Sequence, residues 1–203
     1  MLIIGIAGGS GSGKTFFLNK LIQSLSSELV CNLSLDNYYK PKNEQEKDSN
    51  GIENFDLPTA FNIKTLLNDI QLLKSGTSVQ FEKYNYNNAD LSTEFETIYP
   101  APILILEGIF MLYYEELIPF FDLKLFIEAP LELKIDRRIK RDKLERGYEK
   151  EDVLYRYYEH AIPSYEKYIL PSKLNADLII PNHQQVEKAV ETITNWCKQK
   201  LMT

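Results

Sequence analysis

The apolar stretch Leu2-Ile3-Ile4-Gly5-Ile6-Ala7 runs directly into Gly8-Gly9-Ser10-Gly11-Ser12-Gly13-Lys14-Thr15, and this junction decides the fold. The first six residues predict a strand that is buried on both faces, as in a parallel sheet. Beyond the glycines, apolar side chains recur at helical spacing and predict an amphipathic helix over residues 14–28. A strand, a glycine-rich turn and a helix together form the first unit of an α/β fold.

The segment from Gly8 to Thr15 fits the pattern G-x-x-x-x-G-K-[ST] at every fixed position. Glycines allow the main chain to turn with its N–H groups toward an anion, and the following helix adds its positive end. In this pattern the lysine, Lys14, reaches the β- and γ-phosphates, and the hydroxyl of Thr15 ligates Mg²⁺. The motif predicts binding of ATP or another nucleoside triphosphate, but kinases, GTPases and motor ATPases all share it. The predicted nucleotide-binding residues are Gly8, Gly9, Ser10, Gly11, Ser12, Gly13, Lys14 and Thr15.

Strands alternate with helices along the rest of the chain, which predicts a three-layer α/β fold with a mostly parallel sheet. We expect one domain over residues 1–203, with a mobile polar loop at 40–51 and a small β excursion at about 77–100. The other predicted strands are 29–35, 103–106, 123–127 and 178–180. The other predicted helices are 59–74, 130–147, 152–169, which Pro163 must bend or break, and 184–200.

The amino-acid composition of the chain limits the kinds of molecule that it is expected to bind. The chain has 203 residues, a net charge of −6 and a charged fraction of 26%. The acidic balance argues against general affinity for nucleic acid or anionic membranes, and no apolar run approaches the roughly 20 residues that span a bilayer. Cys31 and Cys197 lack metal-ligand spacing and are expected to be reduced thiols. We therefore expect a cytoplasmic protein that acts on a small molecule.

Two carboxylates follow predicted strands at the edge of the sheet where ligands bind. Glu107 ends the strand at 103–106, and beside a phosphate loop it is a candidate ligand for Mg²⁺ rather than a solvent-facing residue. Asp36 ends the strand at 29–35, where many kinases place the base that accepts a proton from the substrate hydroxyl. Spacing alone leaves Asp36 equally open as a helix cap or turn residue.

Seven basic residues concentrate on the predicted helix at 130–147, which is informative in an acidic chain. They are Lys134, Arg137, Arg138, Lys140, Arg141, Lys143 and Arg146. One interpretation is a lid over about 131–150 that brings arginines against the phosphates as the transition state forms. The alternative is a solvated helix face paired with Glu132, Asp136, Asp142 and Glu145. For at least one of Arg138, Arg141 and Arg146, we favour the functional interpretation.

The chain resembles the uridine kinases, P-loop nucleoside kinases related to phosphoribulokinase and pantothenate kinase. The resemblance covers nearly the whole chain in order. It includes the glycine-rich motif, Asp36-Asn37-Tyr38-Tyr39, Asn54-Phe55-Asp56-Leu57-Pro58-Thr59-Ala60-Phe61, Glu107-Gly108-Ile109, Arg137-Arg138-Ile139-Lys140-Arg141-Asp142, Glu145-Arg146-Gly147, Pro171-Ser172-Lys173 and Ala176-Asp177-Leu178-Ile179-Ile180-Pro181. The resemblance implies a kinase that uses ATP and Mg²⁺, and a possible homo-oligomer.

The resemblance also implies roles for particular residues. Asp36 would be the general base on the 5′-hydroxyl, Tyr39 would line the acceptor pocket, and Asp56 would bind the ribose hydroxyls. Tyr84 would pack near the base, while Arg138, Arg141 and Arg146 would be lid groups that bind phosphates and acceptor. The chain departs from the family pattern on the side that recognises the base: Ala89 aligns with the family's histidine, Tyr148 with an arginine and Arg156 with a glutamine.

Three functions therefore stay open at this point. The first is an ATP-dependent kinase of a small-molecule hydroxyl, most simply a pyrimidine nucleoside 5′-hydroxyl. The second is a kinase of a non-nucleoside alcohol, such as a sugar phosphate or a pantothenate-like molecule, which the altered segment 84–91 favours. The third is a nucleotide-dependent switch, which the phosphate loop permits. The choice between ATP and GTP is also open.

Overall fold

A five-stranded parallel sheet is the centre of the computed structural model, which describes residues 1–82, 95–183 and 185–202. Its strands are β1 (Leu2–Ala7), β2 (Val30–Ser34), β5 (Ile103–Glu107), β6 (Leu123–Glu128) and β7 (Leu178–Pro181), and their order across the sheet is β2-β5-β1-β6-β7. The strands β3 (Val79–Glu82) and β4 (Phe95–Ile98) pair antiparallel in a separate two-stranded sheet. The predicted α/β fold with its mostly parallel sheet and β excursion is confirmed, while Tyr84 lies outside the described residues.

Helices cover both faces of the central sheet. The α-helices of the described residues are, in chain order, α1 (Lys14–Leu25), α2 (Ile63–Lys74), α3 (Leu131–Arg146), α4 (Lys150–Arg156), α5 (Ile162–Ser164), α6 (Leu170–Ser172) and α7 (Glu187–Met202). Within the described part of the chain, none of the helices combines the length and the apolar character needed to cross a bilayer.

The side chains of β1 alternate between two cores, which establishes the three layers. Ile3 and Ala7 pack in one cluster with buried residues of α2, such as Leu66. Ile4 and Ile6 pack in the other cluster with residues of α1 and α7. All four side chains are essentially inaccessible. Because side chains alternate along a strand, an apolar run such as β1 can form only where both faces of the sheet are covered.

The helices α1 and α2 begin or end at different residues from those predicted. The first helix ends at Leu25 rather than at residue 28, because Ser26 takes a φ of 82° that no helix can continue. The predicted helix over 59–74 divides into a 3₁₀ turn, Pro58–Ala60, and α2. The side chain of Asn62 accepts the N–H of Thr65 at 3.3 Å and caps the start of α2.

The helical segment that starts with α4 continues past Pro163. Wider π-helical turns, Tyr157–Ala161 and Tyr165–Ile169, precede α5 and α6, whose second residues are Pro163 and Pro171. A proline ring clashes with the carbonyl four residues earlier and lacks an N–H to donate, and an inserted π-turn accommodates both defects. Of the two predicted effects of Pro163, a break in the helix does not occur, because the chain stays helical through it.

The polar segment 40–51 is a loop, as predicted, and its turns are fixed by hydrogen bonds. The carboxylate of Asp48 accepts the main-chain N–H groups of Asn50 and Ile52 at 2.8 and 2.9 Å. A short antiparallel bridge joins Lys47 to Glu53. The loop therefore leads in a defined path to residues 54–56, where the candidate acceptor-binding carboxylate lies.

Candidate functional site

The phosphate loop lies between β1 and α1, at the carboxyl edge of the sheet. Gly11 and Gly13 have φ angles of 77° and 89°, which side chains rarely allow. A Cβ atom at Gly11 would overlap the carbonyl oxygen of Lys134, and one at Gly13 would overlap the side-chain amide of Asn182. The hydroxyl of Ser12 is buried without a hydrogen-bond partner. This narrow loop with an unpaired buried hydroxyl fits the phosphate groups of a nucleotide.

Asn182 and Arg137 hold the outer side of the loop, and sequence reasoning missed both roles. The amide of Asn182 donates to the carbonyl oxygens of Ser12 and Gly13 at 2.9 and 3.1 Å. Arg137 donates to the Ser12 carbonyl at 3.2 Å and to the Asn182 carbonyl at 3.0 Å. Asn182 directly follows β7, so the strand-end argument that selected Asp36 and Glu107 could have found it.

Lys14 folds back over the loop. Its ammonium group donates to the carbonyl oxygens of Gly8 and Gly9 at 2.9 and 3.4 Å, and the residue is 9% exposed. Burial lowers the pKa of Lys14, while the carboxylates of Glu107 and Asp36 act in the opposite direction. The lysine is thus positioned at the loop among acidic groups, where a phosphate would become its partner.

Thr15 and Glu107 line the same cavity and supply oxygen atoms of the kind that Mg²⁺ prefers. Glu107 ends β5 and accepts the hydroxyl of Ser34 at 2.5 Å. Burial raises the pKa of Glu107, and Lys14 opposes this effect. The described residues hold no cluster of three or more candidate metal-binding side chains. The hydroxyl of Thr15 and the carboxylate of Glu107 fit Mg²⁺, which is commonly held by one or two protein ligands together with phosphates and water.

Asp36 lies in the 3₁₀ turn Leu35–Tyr38 that follows β2. Ser34 caps this turn by accepting the N–H of Asp36 at 3.3 Å, so Asp36 is not the cap. Its carboxylate is 40% exposed and lies 4.0 Å from Arg146. Next to this turn, Tyr39 stacks on Phe61 with ring centroids 4.3 Å apart. A carboxylate that is accessible to the cavity, beside an aromatic wall, can receive a hydroxyl and accept its proton.

Asp56 pairs with Arg138 in a two-pronged ion pair. The guanidinium donates to the two carboxylate oxygens at 3.3 and 3.2 Å, and both side chains are largely buried. Burial is the largest single influence on the pKa of Arg138, and it lowers that pKa. The carboxylates of Asp56 and Asp142 act in the opposite direction, and the pKa of Arg138 is raised overall. The predicted substrate carboxylate and the predicted lid arginine therefore form one unit.

Five of the seven basic residues of α3 lie in three different environments. Arg138, Arg141 and Arg146 line the cavity together with Asp142. Arg137 turns instead to the phosphate loop, and Lys134 lies over the ring of Tyr165 at 3.9 Å from its centroid. Asp142, which the solvated-face alternative treated as a surface partner, is in fact 3% exposed. The pairing with Asp142 that this alternative expected is present, but it lies at the cavity rather than on a solvated face.

A further wall of the cavity comes from the segment after α3. Tyr148, Arg156 and His160 line it. Arg156 donates to the carbonyl of Glu53 at 2.9 Å and lies 5.8 Å from the centroid of the Tyr148 ring. His160 is 2% exposed, and its Nε2 lies 2.7 Å from the carboxylate of Asp48. Sequence reasoning noted Tyr148 and Arg156 only as departures and missed His160, since no local pattern marks it.

The cavity brings together ten of the predicted site residues, while five residues of the phosphate loop, Gly8, Gly9, Gly11, Ser12 and Gly13, do not line it. Its lining comprises Ser10, Lys14, Thr15, Asp36, Tyr39, Phe55, Asp56, Glu107, Ile109, Arg138, Arg141, Asp142, Arg146, Tyr148, Arg156 and His160. A phosphate loop at one side, two carboxylates and a cluster of arginines can hold a polyphosphate beside a hydroxyl-bearing molecule.

Comparisons with known proteins agree with this geometry. A family model described as "Phosphoribulokinase / Uridine kinase family" matches residues 3–189. Uridine-cytidine kinase A of Dictyostelium discoideum is 38% identical over 200 residues, which is 98% of this chain but 40% of that protein. Uridine kinase of Deinococcus deserti is 34% identical over 95% of this chain and 93% of its own. Phosphoribulokinase from Rhodobacter spheroides matches the fold with a TM-score of 0.60 at 16% identity, covering 89% of this chain and 69% of that one.

Proposed function

Because the chain belongs to the phosphoribulokinase / uridine kinase family, we propose that it is an ATP-dependent kinase that phosphorylates the 5′-hydroxyl of a pyrimidine nucleoside. The observation that carries the proposal is one cavity lined by Lys14 of the phosphate loop and by the carboxylates of Asp36 and Asp56. Uridine kinase of Deinococcus deserti, which this chain covers over 93% of its length, supports the choice of acceptor. Because relatives that align over this much of the chain are kinases, we favour catalysis over a nucleotide-dependent switch.

The donor half of the site binds the triphosphate. The main-chain N–H groups of residues 8–15 and the ammonium of Lys14 would hold the phosphates, and Lys14 would exchange its carbonyl partners for phosphate oxygens. Thr15 and Glu107 would hold Mg²⁺, which neutralises phosphate charge when bound.

The acceptor half orients the hydroxyl. Asp36 accepts its proton as the oxygen attacks the γ-phosphorus, Tyr39 packs against the acceptor, and Asp56 accepts hydrogen bonds from the ribose hydroxyls. The two-pronged pair with Arg138 supports this role of Asp56, because it fixes the carboxylate before the acceptor arrives. Tyr84 stays a prediction.

Residues of about 131–150 serve as the lid in this proposal. Arg138, Arg141 and Arg146 face the cavity and would stabilise charge on the transferring phosphoryl group. Residues 1–203 would act as one kinase domain with the β3–β4 pair on its acceptor side. Assembly into a homo-oligomer stays a possibility that sedimentation can test.

One observation favours a second candidate acceptor, a non-nucleoside alcohol that carries a negative charge. Arg156 lines the cavity and hydrogen-bonds a main-chain carbonyl rather than a carboxylate. A guanidinium is a donor-only group that matches phosphate and carboxylate oxygens as well as the carbonyl groups of a base. The phosphate group of a sugar phosphate could therefore accept hydrogen bonds from Arg156.

An acceptor screen tests the proposal. Purified protein with Mg²⁺ and either ATP or GTP is incubated with uridine, cytidine, purine nucleosides, pantothenate and sugar phosphates, and products are read by mass spectrometry. Phosphorylated uridine or cytidine is the expected product. Phosphorylation of a sugar phosphate alone would establish the second candidate, and no product from any acceptor would reject both.

Asp36→Asn tests the base directly. We expect turnover to fall at least about 100-fold, because the amide cannot accept the proton, while ATP still binds. Asp152→Asn, an exposed aspartate on α4, is the matched control. Turnover by Asp36→Asn equal to that of the control would remove Asp36 as the base.

A further inference from the structure

A single buried carboxylate contacts all three arginines of α3 that line the cavity. Oδ1 of Asp142 lies 2.8 Å from Nε and from a terminal nitrogen of Arg141, and 3.3 Å from Arg146. Oδ2 lies 3.4 Å from Nε of Arg138. Arg138 and Arg146 can both reach Asp142 because each lies four residues from it, about one helical turn, on the same face of α3.

The positive charges of the arginines around Asp142 are nearly matched in number by the negative charges of nearby carboxylates. Its side chain is 5% exposed, and a carboxylate buried to that degree is stable only where cations and hydrogen bonds compensate it. Two of the arginines contact a second acid as well: Arg138 pairs with Asp56, and Arg146 lies 4.0 Å from Asp36. Arg141 has Asp142 as its ion-pair partner within the described ranges.

From this arrangement we propose that Asp142 is a positioning residue: it sets the directions of Arg138, Arg141 and Arg146 and limits the positive charge that they present to the phosphates. The role rests on the proposed kinase function, because the arginines are the groups that would contact the transferring phosphoryl. Asp142 itself acts through them and does not touch the reacting atoms. Three guanidinium groups held close together repel one another, and the shared carboxylate offsets that repulsion.

Asp142→Asn keeps the shape of the side chain and removes its charge. The cavity then gains net positive charge, so ATP binds at least as tightly as to the wild type. The arginines lose their common anchor, so kcat falls about 10- to 100-fold, as expected for reacting groups misplaced by about 1 Å. This split between kcat and ATP affinity separates positioning from a general loss of structure, which would weaken both.

Three measurements test the proposal: steady-state kinetics with the acceptor found in the screen, calorimetric titration with ATP and no acceptor, and the melting temperature. Asp136→Asn, an exposed aspartate on the same helix, is the control and should resemble the wild type. Asp142→Glu keeps the charge one methylene farther out, so it should fold and retain ATP affinity with an intermediate kcat. If Asp142→Asn does not fold, this second variant carries the test.

An unchanged kcat in the folded variants would overturn the proposal. So would a fall in kcat matched by an equal loss of ATP affinity, or an Asp142→Glu enzyme no faster than Asp142→Asn. Because the ATP titration needs no acceptor, it remains informative if the proposed function fails: weaker ATP binding by Asp142→Asn would contradict the charge argument even in a protein that phosphorylates no nucleoside.

Discussion

Asn182 illustrates how one buried amide can set the shape of the phosphate loop. Its N–H₂ group donates to two successive loop carbonyls, and its own main-chain carbonyl accepts from Arg137. Because a peptide unit is planar, holding the two carbonyls also fixes the direction of the N–H groups in the same peptide units. The residue is 3% exposed, and water cannot easily replace it.

Replacing Asn182 with alanine should therefore weaken both stability and nucleotide binding. Two buried hydrogen bonds are lost, although the Ser12 carbonyl keeps Arg137 and the Gly13 carbonyl keeps the N–H of Phe17 as donors. The loss lowers the free energy of unfolding by about 1–3 kcal/mol. Urea denaturation and calorimetry with ATP measure the two effects. Asn195→Ala, at an exposed position on α7, should change neither. ATP affinity that survives in the Asn182 variant would mean that Arg137 holds the loop alone.

Residues chosen from local patterns line one cavity, while their partners were not predictable. Lys14, Thr15, Asp36 and Glu107 could be identified because a glycine motif and strand ends are local features. The pairing of Arg138 with Asp56 joins positions 82 residues apart, and that of His160 with Asp48 joins positions 112 apart. No periodicity records such pairs, since they arise only when the chain is packed.

At the scale of elements, the end of α1 carries local strain. Ser26 has φ 82° and ψ 129°, a conformation that glycine adopts easily and serine does not. It directs the chain from the helix into the 3₁₀ turn Ser27–Leu29 and then into β2. No local pattern predicted this turn, because serine there is also compatible with another helical turn, and the predicted helix therefore extended three residues too far.

Ser26→Gly should raise the free energy of unfolding by about 1 kcal/mol, because the relief of strain exceeds the entropy that glycine adds to the unfolded chain. Thermal and urea denaturation measure the change. Ser27→Gly, at a position without a positive φ, is the control and should lower stability. A less stable Ser26→Gly protein would show that serine is not strained there.

At the scale of the whole molecule, Asp48 connects the loop before the proposed acceptor site to the helical segment near the opposite end of the chain. Its Oδ2 accepts the hydroxyl of Tyr155 and lies 2.7 Å from Nε2 of His160. Desolvation favours the neutral acid, but hydrogen bonds from Ile52, Tyr155, His160 and Asn50 outweigh it and hold the pKa of Asp48 well below its ordinary value.

This depressed pKa predicts a defined dependence of stability on pH. The charged form stabilises the fold above the unfolded-state pKa of about 3.9, and the contribution is lost as the pH falls through the lower pKa of the folded state. Asp48→Asn should therefore be less stable than the wild type at pH 7, and the difference should shrink below about pH 4. Urea denaturation from pH 7 to 3 measures it, with Glu44→Gln in the same loop as control. A difference that does not vary with pH would contradict the assignment.

The order of the strands also bears on how the protein is made. β1 is the central strand, yet its neighbours are β5 and β6: Ile4 aligns with Ile105 on one side and with Leu123 on the other. A nascent chain must therefore emerge past residue 123 before its first strand has both partners, and such long-range pairing slows folding. A ribosome-bound fragment of 100 residues would carry the complete glycine motif with no sheet to support it. We expect the ability to bind nucleotide to arise late in synthesis, although the motif is translated first.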